Sequence, residues 1–295
     1  MGITNSFAKF LLLSKKNGAD FSHTLTLGRL RLYTDKPSLN STARQLGLNI
    51  NFDATAGDEY AEKFFGLLGA QTTDSMDYSD YEQANVIHDL NQPLPQQLHG
   101  KYTAVIDSGT LEHVFNFSVA VKSCMDALTK GGFYIGITPA NNLLGHGFYQ
   151  FSPELFFRIF SPANGFTMHH VMLGVLGKDG EVEKWYTVKD PADVKSRVTI
   201  KNFRETFLCV AAQKTETKDA LSSPPLQSDY AEAWRIADDG PVANQSAAKA
   251  IYKKYVPGFI QAAVQVIKYK LFSSKRLQDD FIGVIDPKHI QETKL

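Results

Sequence analysis

The stretch from Tyr102 to Thr138 limits the fold more than any other part of the chain. Tyr102 to Ile106 is a short apolar run that closes on Asp107. From 116 to 129, Phe117, Ala120, Val121, Cys124, Met125 and Leu128 recur at i, i+3, i+4, i+7, i+8 and i+11, the stripe of a helix with one buried face. Gly131 and Gly132 are expected to stop that helix, and Phe133 to Thr138 resumes as a strand before Pro139. A strand, a one-faced helix and a second strand make a crossover unit, whose strands lie parallel in one sheet.

The pattern repeats on both sides. Residues 23–33 read as a strand broken by Gly28, and 58–68 as a helix with Asp58 as N-cap and Gly69 as its stop. Strand candidates follow at 70–76, ending at Asp77, and at 85–88, ending at Asp89. Further strands are expected at 167–176 and 206–212, with a polar excursion around Trp185 between them. This alternation predicts an α/β fold with a mostly parallel sheet covered by helices on both faces. The expected units are an N-terminal segment, 1–22, a main domain, 23–213, a linker, 214–228, and a helical C-terminal extension, 229–295. The extension reads as helices at 229–237, 246–256 and 258–272, the last carrying an Ile260, Val264, Ile267 and Leu271 stripe.

Composition narrows the class. Lys+Arg and Asp+Glu number 31 each, so no net field draws nucleic acid or an anionic membrane, and no nucleic-acid partner is expected. Cys124 and Cys209 sit in apolar contexts without paired spacing, against a disulfide scaffold or a zinc site. No apolar run approaches the ~18 residues of a membrane span, and the Phe10–Leu13 patch lacks a cleavage site. A cytoplasmic protein is expected. Gly2 with Ser6 fits the spacing for N-terminal acylation, a short pattern of low specificity.

Three successive strand candidates end in Asp77, Asp89 and Asp107. Ligands of open parallel sheets bind beyond the carboxyl ends of the strands. Carboxylates placed there accept paired hydrogen bonds from ribose hydroxyls, an adenine amino group or an ammonium. The 102–114 segment (Tyr-Thr-Ala-Val-Ile-Asp-Ser-Gly-Thr-Leu-Glu-His-Val), its helix and the 128–133 turn (Leu-Thr-Lys-Gly-Gly-Phe) resemble the class I S-adenosylmethionine-dependent methyltransferases. The resemblance covers about 23–213 and implies a Rossmann-like, doubly wound, seven-stranded sheet, with S-adenosyl-L-methionine as cofactor. It implies that Asp77 holds the ribose and that Asp89, with Leu90 and Asn91, meets the adenine. Asp107, Ser108 and Gly109 would then lie beside the methionine moiety. The first motif departs from the family: Thr26-Leu27-Gly28-Arg29-Leu30 has one glycine and no acid. Either Gly28 alone gives the close backbone approach or the site is remodelled, with Arg29 a candidate to pair with the cofactor's carboxylate.

The second informative stretch runs from Pro139 to Leu155. Gly145 and Gly147 flank His146 in a loop that exposes an imidazole, and Ser152-Pro153-Glu154 reads as a helix start. Phe148, Tyr149 and Phe151 are candidate walls of an acceptor pocket or a lid packed on the core. Glu112 is either a helix-entry carboxylate or a site residue, and His113 falls at the site by its place in the motif. The expected activity is methyl transfer to oxygen or nitrogen of a small molecule, a sugar or a lipid-linked head group. His113 or His146 is the expected base and Tyr149 the residue that orients the acceptor. A metal hydrolase drawing on Glu112, His113, His146 and Glu154 lacks diagnostic ligand spacing, so no metal site is expected. A nicotinamide oxidoreductase would need a phosphate-cradling glycine motif that is not here. The rival of a different class is a non-catalytic, methyltransferase-like binding or scaffold protein. The C-terminal helices would cover the acceptor side or form a homodimer contact.

Overall fold

The computed structural model describes residues 2–55, 59–195, 197–238, 290–293 and 295. The chain begins with β1 (Gly2–Thr4) and α1 (Asn5–Lys16), where the Thr4 hydroxyl accepts the Phe7 N–H at 3.3 Å and caps the helix. β2 (His23–Leu27) ends at Gly28, whose φ of +75° turns the backbone out of the strand. β3 (Arg31–Tyr33) pairs in parallel with β1, outside the main sheet. Asp35 caps α2 (Lys36–Gln45) by accepting the Ser38 N–H at 3.0 Å. Next come α3 (Glu62–Leu67), β4 (Thr72–Asp77), β5 (Val86–Ile87) and β6 (Tyr102–Ser108). α4 (Phe117–Ala127) and β7 (Leu128–Asn141) complete the crossover. The remainder is α5 (Pro153–Ile159), β8 (Phe166–Leu176), β9 (Val182–Val188), α6 (Pro191–Val194), β10 (Thr206–Lys214), α7 (Ser228–Asp238) and β11 (Ile290–Thr293).

Among the described residues one sheet carries nine strands in the order β11-β9-β8-β10-β7-β6-β2-β4-β5. β5, β4, β2, β6 and β7 pair in parallel, while β10 runs against β7 and β8, and β9 against β8 and β11. Seven strands therefore point one way, and β9 and β10 the other. The sheet is doubly wound and mostly parallel as expected, with nine strands rather than seven. The stretch read as a polar excursion is β9. Trp185 packs into one core, while Tyr186 and Val188 pack into the other, the alternation of a strand whose charged neighbours hid its period.

Alternating side chains feed two cores. Ala104, Ile106, Phe133, Ile135, Cys209 and Ala211 pack with Phe7, Phe10 and Leu11 of α1 and with Phe64 and Phe65 of α3. Val105, Tyr134, Leu208 and Val210 pack with Ala120, Val121 and Cys124 of α4 and with Phe156 and Ile159 of α5. Burying each large side chain contributes roughly 1.5–3 kcal/mol, so these faces rather than helix propensity hold the short helices in place.

The glycine pair does not end α4. The helix stops at Ala127, and Leu128 is already extended. Buried Lys214 donates Nζ to the Met125 and Leu128 carbonyls at 2.8 and 2.9 Å, pairing acceptors that a helix end leaves open. Gly131 and Gly132 lie within β7, where pairing skips from Tyr102–Leu128 to Ala104–Phe133. Lys214 and Ala220, read as linker, are buried, Ala220 in the core that α4 and α5 cover. α7 meets the expectation for 229–237, whereas Asp58 and the helices expected at 246–256 and 258–272 lie outside the described residues. Among the described residues no helix is long and apolar enough to cross a membrane.

Candidate active site

Sheet order reverses between β2 and β6, with β4 and β5 on one side and β6 and β7 on the other. The crevice beyond the strand ends at such a point is where open α/β sheets bind ligands. Register decides which residues stand there. Leu27 pairs with Met76 on one side and Asp107 on the other, so Gly28, one residue on, shares a row with Asp77 and Ser108. The Gly28 N–H donates to the Met76 carbonyl at 2.6 Å. Half-buried Asp77 accepts the Tyr78 N–H at 2.7 Å.

Asp89 stands two residues beyond β5 and accepts both the backbone and side-chain N–H of Asn91 at 2.9 Å. These bonds hold its carboxyl below the usual range. Asn91 Oδ1 in turn accepts the Asn116 N–H at 3.0 Å, fastening the turn to the start of α4, while Leu90 is buried.

Asp107 is engaged inside the protein. It is fully buried, with Oδ1 accepting the Thr110 N–H at 2.8 Å and Oδ2 the Tyr134 hydroxyl at 3.0 Å. Burial pushes its carboxyl upward against those bonds. One oxygen is bound by the 108–113 loop and the other by Tyr134 of β7. Tyr134 reaches across Gly136, which is Asp107's register partner; a Cβ there would come within 2.5 Å of the hydroxyl. Ser108 Oγ donates to the Gly2 carbonyl at 2.7 Å, laying β1 against this end of the sheet, and Thr110 Oγ1 donates to the Leu27 carbonyl at 3.0 Å. Arg29 is also engaged: it stacks 3.9 Å from the Tyr60 ring and donates to Glu62 at 2.7 Å, the Glu82 carbonyl at 3.2 Å and Gln83 at 3.1 Å. The partner expected in a cofactor carboxylate is supplied by Glu62.

The Asp107 loop delivers Glu112 and His113 to the loop that follows β7. Glu112 is 0% exposed, and among the described residues neither carboxylate oxygen has a hydrogen-bond partner. Burial, then the nearby Asp107 charge, raises its carboxyl. His146 Nε2 lies 3.5 Å from Glu112 Oε1, and the His113 and His146 rings are 5.6 Å apart. Burial and then His146 lower the His113 imidazolium, favouring its neutral form.

Two glycines permit this approach. A Cβ at Gly109 (φ +82°) would stand 3.1 Å from Glu112 Oε1, and one at Gly147 (φ +151°) 2.9 Å from the Glu112 carbonyl. The Phe148 N–H donates to that carbonyl at 2.8 Å. Of the expected aromatic wall, Phe148 is 68% exposed and forms an edge-to-face pair with exposed Phe115. Phe151 is buried in the core, and the Tyr149 hydroxyl donates to the Phe115 carbonyl at 2.6 Å. Ser152 caps α5 as expected, accepting the Leu155 N–H at 3.4 Å.

The structure thus brings Gly28, Asp77 and Ser108 to one row, with Asp89 beyond, and joins His113 to His146. It diverts Asp107, Arg29 and Tyr149 to structural bonds. Sequence reasoning missed the support of Asp107 by Tyr134 and Gly136, and the depth of Glu112. The Gly-His-Gly run was the one signal for the second loop's close approach.

No family model matches the sequence, and no curated protein matches it. Solved structures of similar fold include methyltransferases. A SAM-dependent methyltransferase from Archaeoglobus fulgidus is 9% identical, with 71% of this chain and 94% of that chain covered and a TM-score of 0.37. The YcgJ protein from Bacillus subtilis is 10% identical, with 72% and 99% covered and a TM-score of 0.39. The methyltransferase CalH in complex with SAH is 13% identical, with 71% and 57% covered and a TM-score of 0.37. At 9–13% identity these likenesses carry no residue-by-residue correspondence.

Proposed function

We propose that this chain is an S-adenosylmethionine-dependent methyltransferase acting on oxygen or nitrogen of a small-molecule, sugar or lipid-linked acceptor. The observation that carries the reading is the row of Asp77, Gly28 and Ser108 at the reversal of strand order, with Asp89 one strand further out. The donor set fits an adenosine. Asp77 offers a half-buried carboxylate to ribose hydroxyls, and Asp89 an acceptor held ionised by Asn91. Gly28, without a Cβ, lets the ligand approach the backbone. Bound S-adenosylmethionine supplies an electrophilic methyl group on a sulfonium.

The rest falls to the chain's own residues. Exposed Phe115 and Phe148 offer an apolar rim for an acceptor. His113, disposed to be neutral, or His146 beside it accepts the acceptor's proton. Tyr149 orients that rim through its bond to the Phe115 carbonyl rather than by touching the acceptor.

Titration calorimetry with S-adenosylhomocysteine tests the reading. Wild type is expected to bind at micromolar concentration and Asp77→Ala at least about tenfold more weakly, the loss of roughly 1.4 kcal/mol or more. Equal affinities would remove Asp77 from the site.

A second reading, a non-catalytic binding protein, is favoured by one specific observation. Ser108 and Arg29 spend their polar groups on the Gly2 carbonyl and Glu62. Absence of S-adenosylhomocysteine binding would leave that reading standing.

A further inference from the structure

We infer that Glu112, His113 and His146 form a binding site for a divalent first-row transition cation. One carboxylate oxygen and two imidazole nitrogens, one from each residue, lie within 4.8 Å of one another. The Glu112 Oε1 to His146 Nε2 separation of 3.5 Å is close to the spacing of two ligands on one tetrahedral cation with bonds of about 2.1 Å. Two imidazoles and one carboxylate leave coordination positions open, and the nitrogen donors select a transition metal over magnesium or calcium.

Glu112 supplies the independent sign of a missing partner. A carboxyl group that is 0% exposed, with neither oxygen hydrogen-bonded among the described residues, is a costly arrangement, and a cation held by it removes the cost. The surroundings keep the space open. Both loops approach Glu112 through glycines, and a Cβ at Gly109 would crowd Oε1 while one at Gly147 would crowd the carbonyl and the His113 ring. The histidines are exposed, so the cluster can be reached from solvent.

This inference stands on the cluster itself and does not depend on methyl transfer. It competes with the proton-accepting role for the same two imidazoles, because a coordinated ring nitrogen has no lone pair left to take a proton.

The test uses untagged full-length protein, stripped with a chelator and titrated with Co2+ while its visible absorption is followed. One saturating equivalent per chain is expected. His113→Ala/His146→Ala should abolish the band, and Glu112→Gln should weaken binding by more than the about tenfold that even outer-shell changes cost. His169→Ala should bind as wild type does. S-adenosylhomocysteine calorimetry on the same samples reports separately on the cofactor edge. No saturable absorption in wild type, or an unchanged titration in the double variant, overturns the metal site whatever happens at that edge.

Discussion

Replacing Tyr134 with Phe isolates one bond on which the site loop depends. The ring is fully buried, stacked 4.7 Å from Phe160 at 25°, and a phenyl ring keeps that contact and nearly the same volume. What disappears is the hydroxyl donated to Asp107 Oδ2 at 3.0 Å, which leaves that buried oxygen without its partner. A hydrogen bond to a charged acceptor contributes about 1.5–3 kcal/mol. For a chain of this size that corresponds to a fall in Tm of roughly 2–5 °C. Urea unfolding followed by circular dichroism measures the loss. Asp107→Asn should cost less, since its amide oxygen still accepts the Thr110 N–H and its amide NH2 can donate to Tyr134. A Tyr134→Phe protein within about 0.5 kcal/mol of wild type, the range of inconsequential surface changes, would refute the claim that this bond holds the loop.

Two further outcomes follow from particular contacts. Asp74 lies between Lys101, Tyr102 and Asn85 at 2.8–2.9 Å; burial raises its carboxyl, but these bonds outweigh it and the net direction is downward. A carboxyl lowered by folding contributes stability above its unfolded value, about 3.9, and loses it as pH falls through the folded value. Asp74→Asn should therefore flatten the acid limb of stability below about pH 5, and superimposable acid limbs would contradict this. Gly147→Ala places a Cβ 2.9 Å from the Glu112 carbonyl at φ +151°, so it should cost about 1–3 kcal/mol in urea unfolding. An unchanged midpoint would show that the two loops do not meet there.

The crossover from Tyr102 to Thr138 was legible because helix and strand periods differ and both appear there cleanly. The same holds for Gly69, Gly28 and the Ser152 cap, where local backbone chemistry decides. β9 was not legible: Glu183 and Lys184 interrupt an alternation that serves two cores. Nor was the end of α4, which is set by Lys214 from a strand far along the chain. The position of Asp77 and Asp89 at the sheet edge was legible because strand ends in a parallel sheet share one edge. The fate of Asp107 and Arg29 was not. A carboxylate at a strand end reads the same whether it faces ligand or a tyrosine, and only tertiary packing brings Tyr134 and Glu62 to them. The meeting of Glu112, His113 and His146 joins two loops about 33 residues apart, a proximity that no local spacing announces.

The central claim is that the edge formed by Asp77, Gly28 and Ser108 is where the adenosine of the cofactor lies. A crystal structure of the protein soaked with S-adenosylhomocysteine measures this directly. The account predicts the ribose hydroxyls within hydrogen-bond distance of the Asp77 carboxylate and the sugar passing over Gly28. Density for the ligand at any other place, or none at millimolar soak with β1 still seated on Ser108, would contradict it.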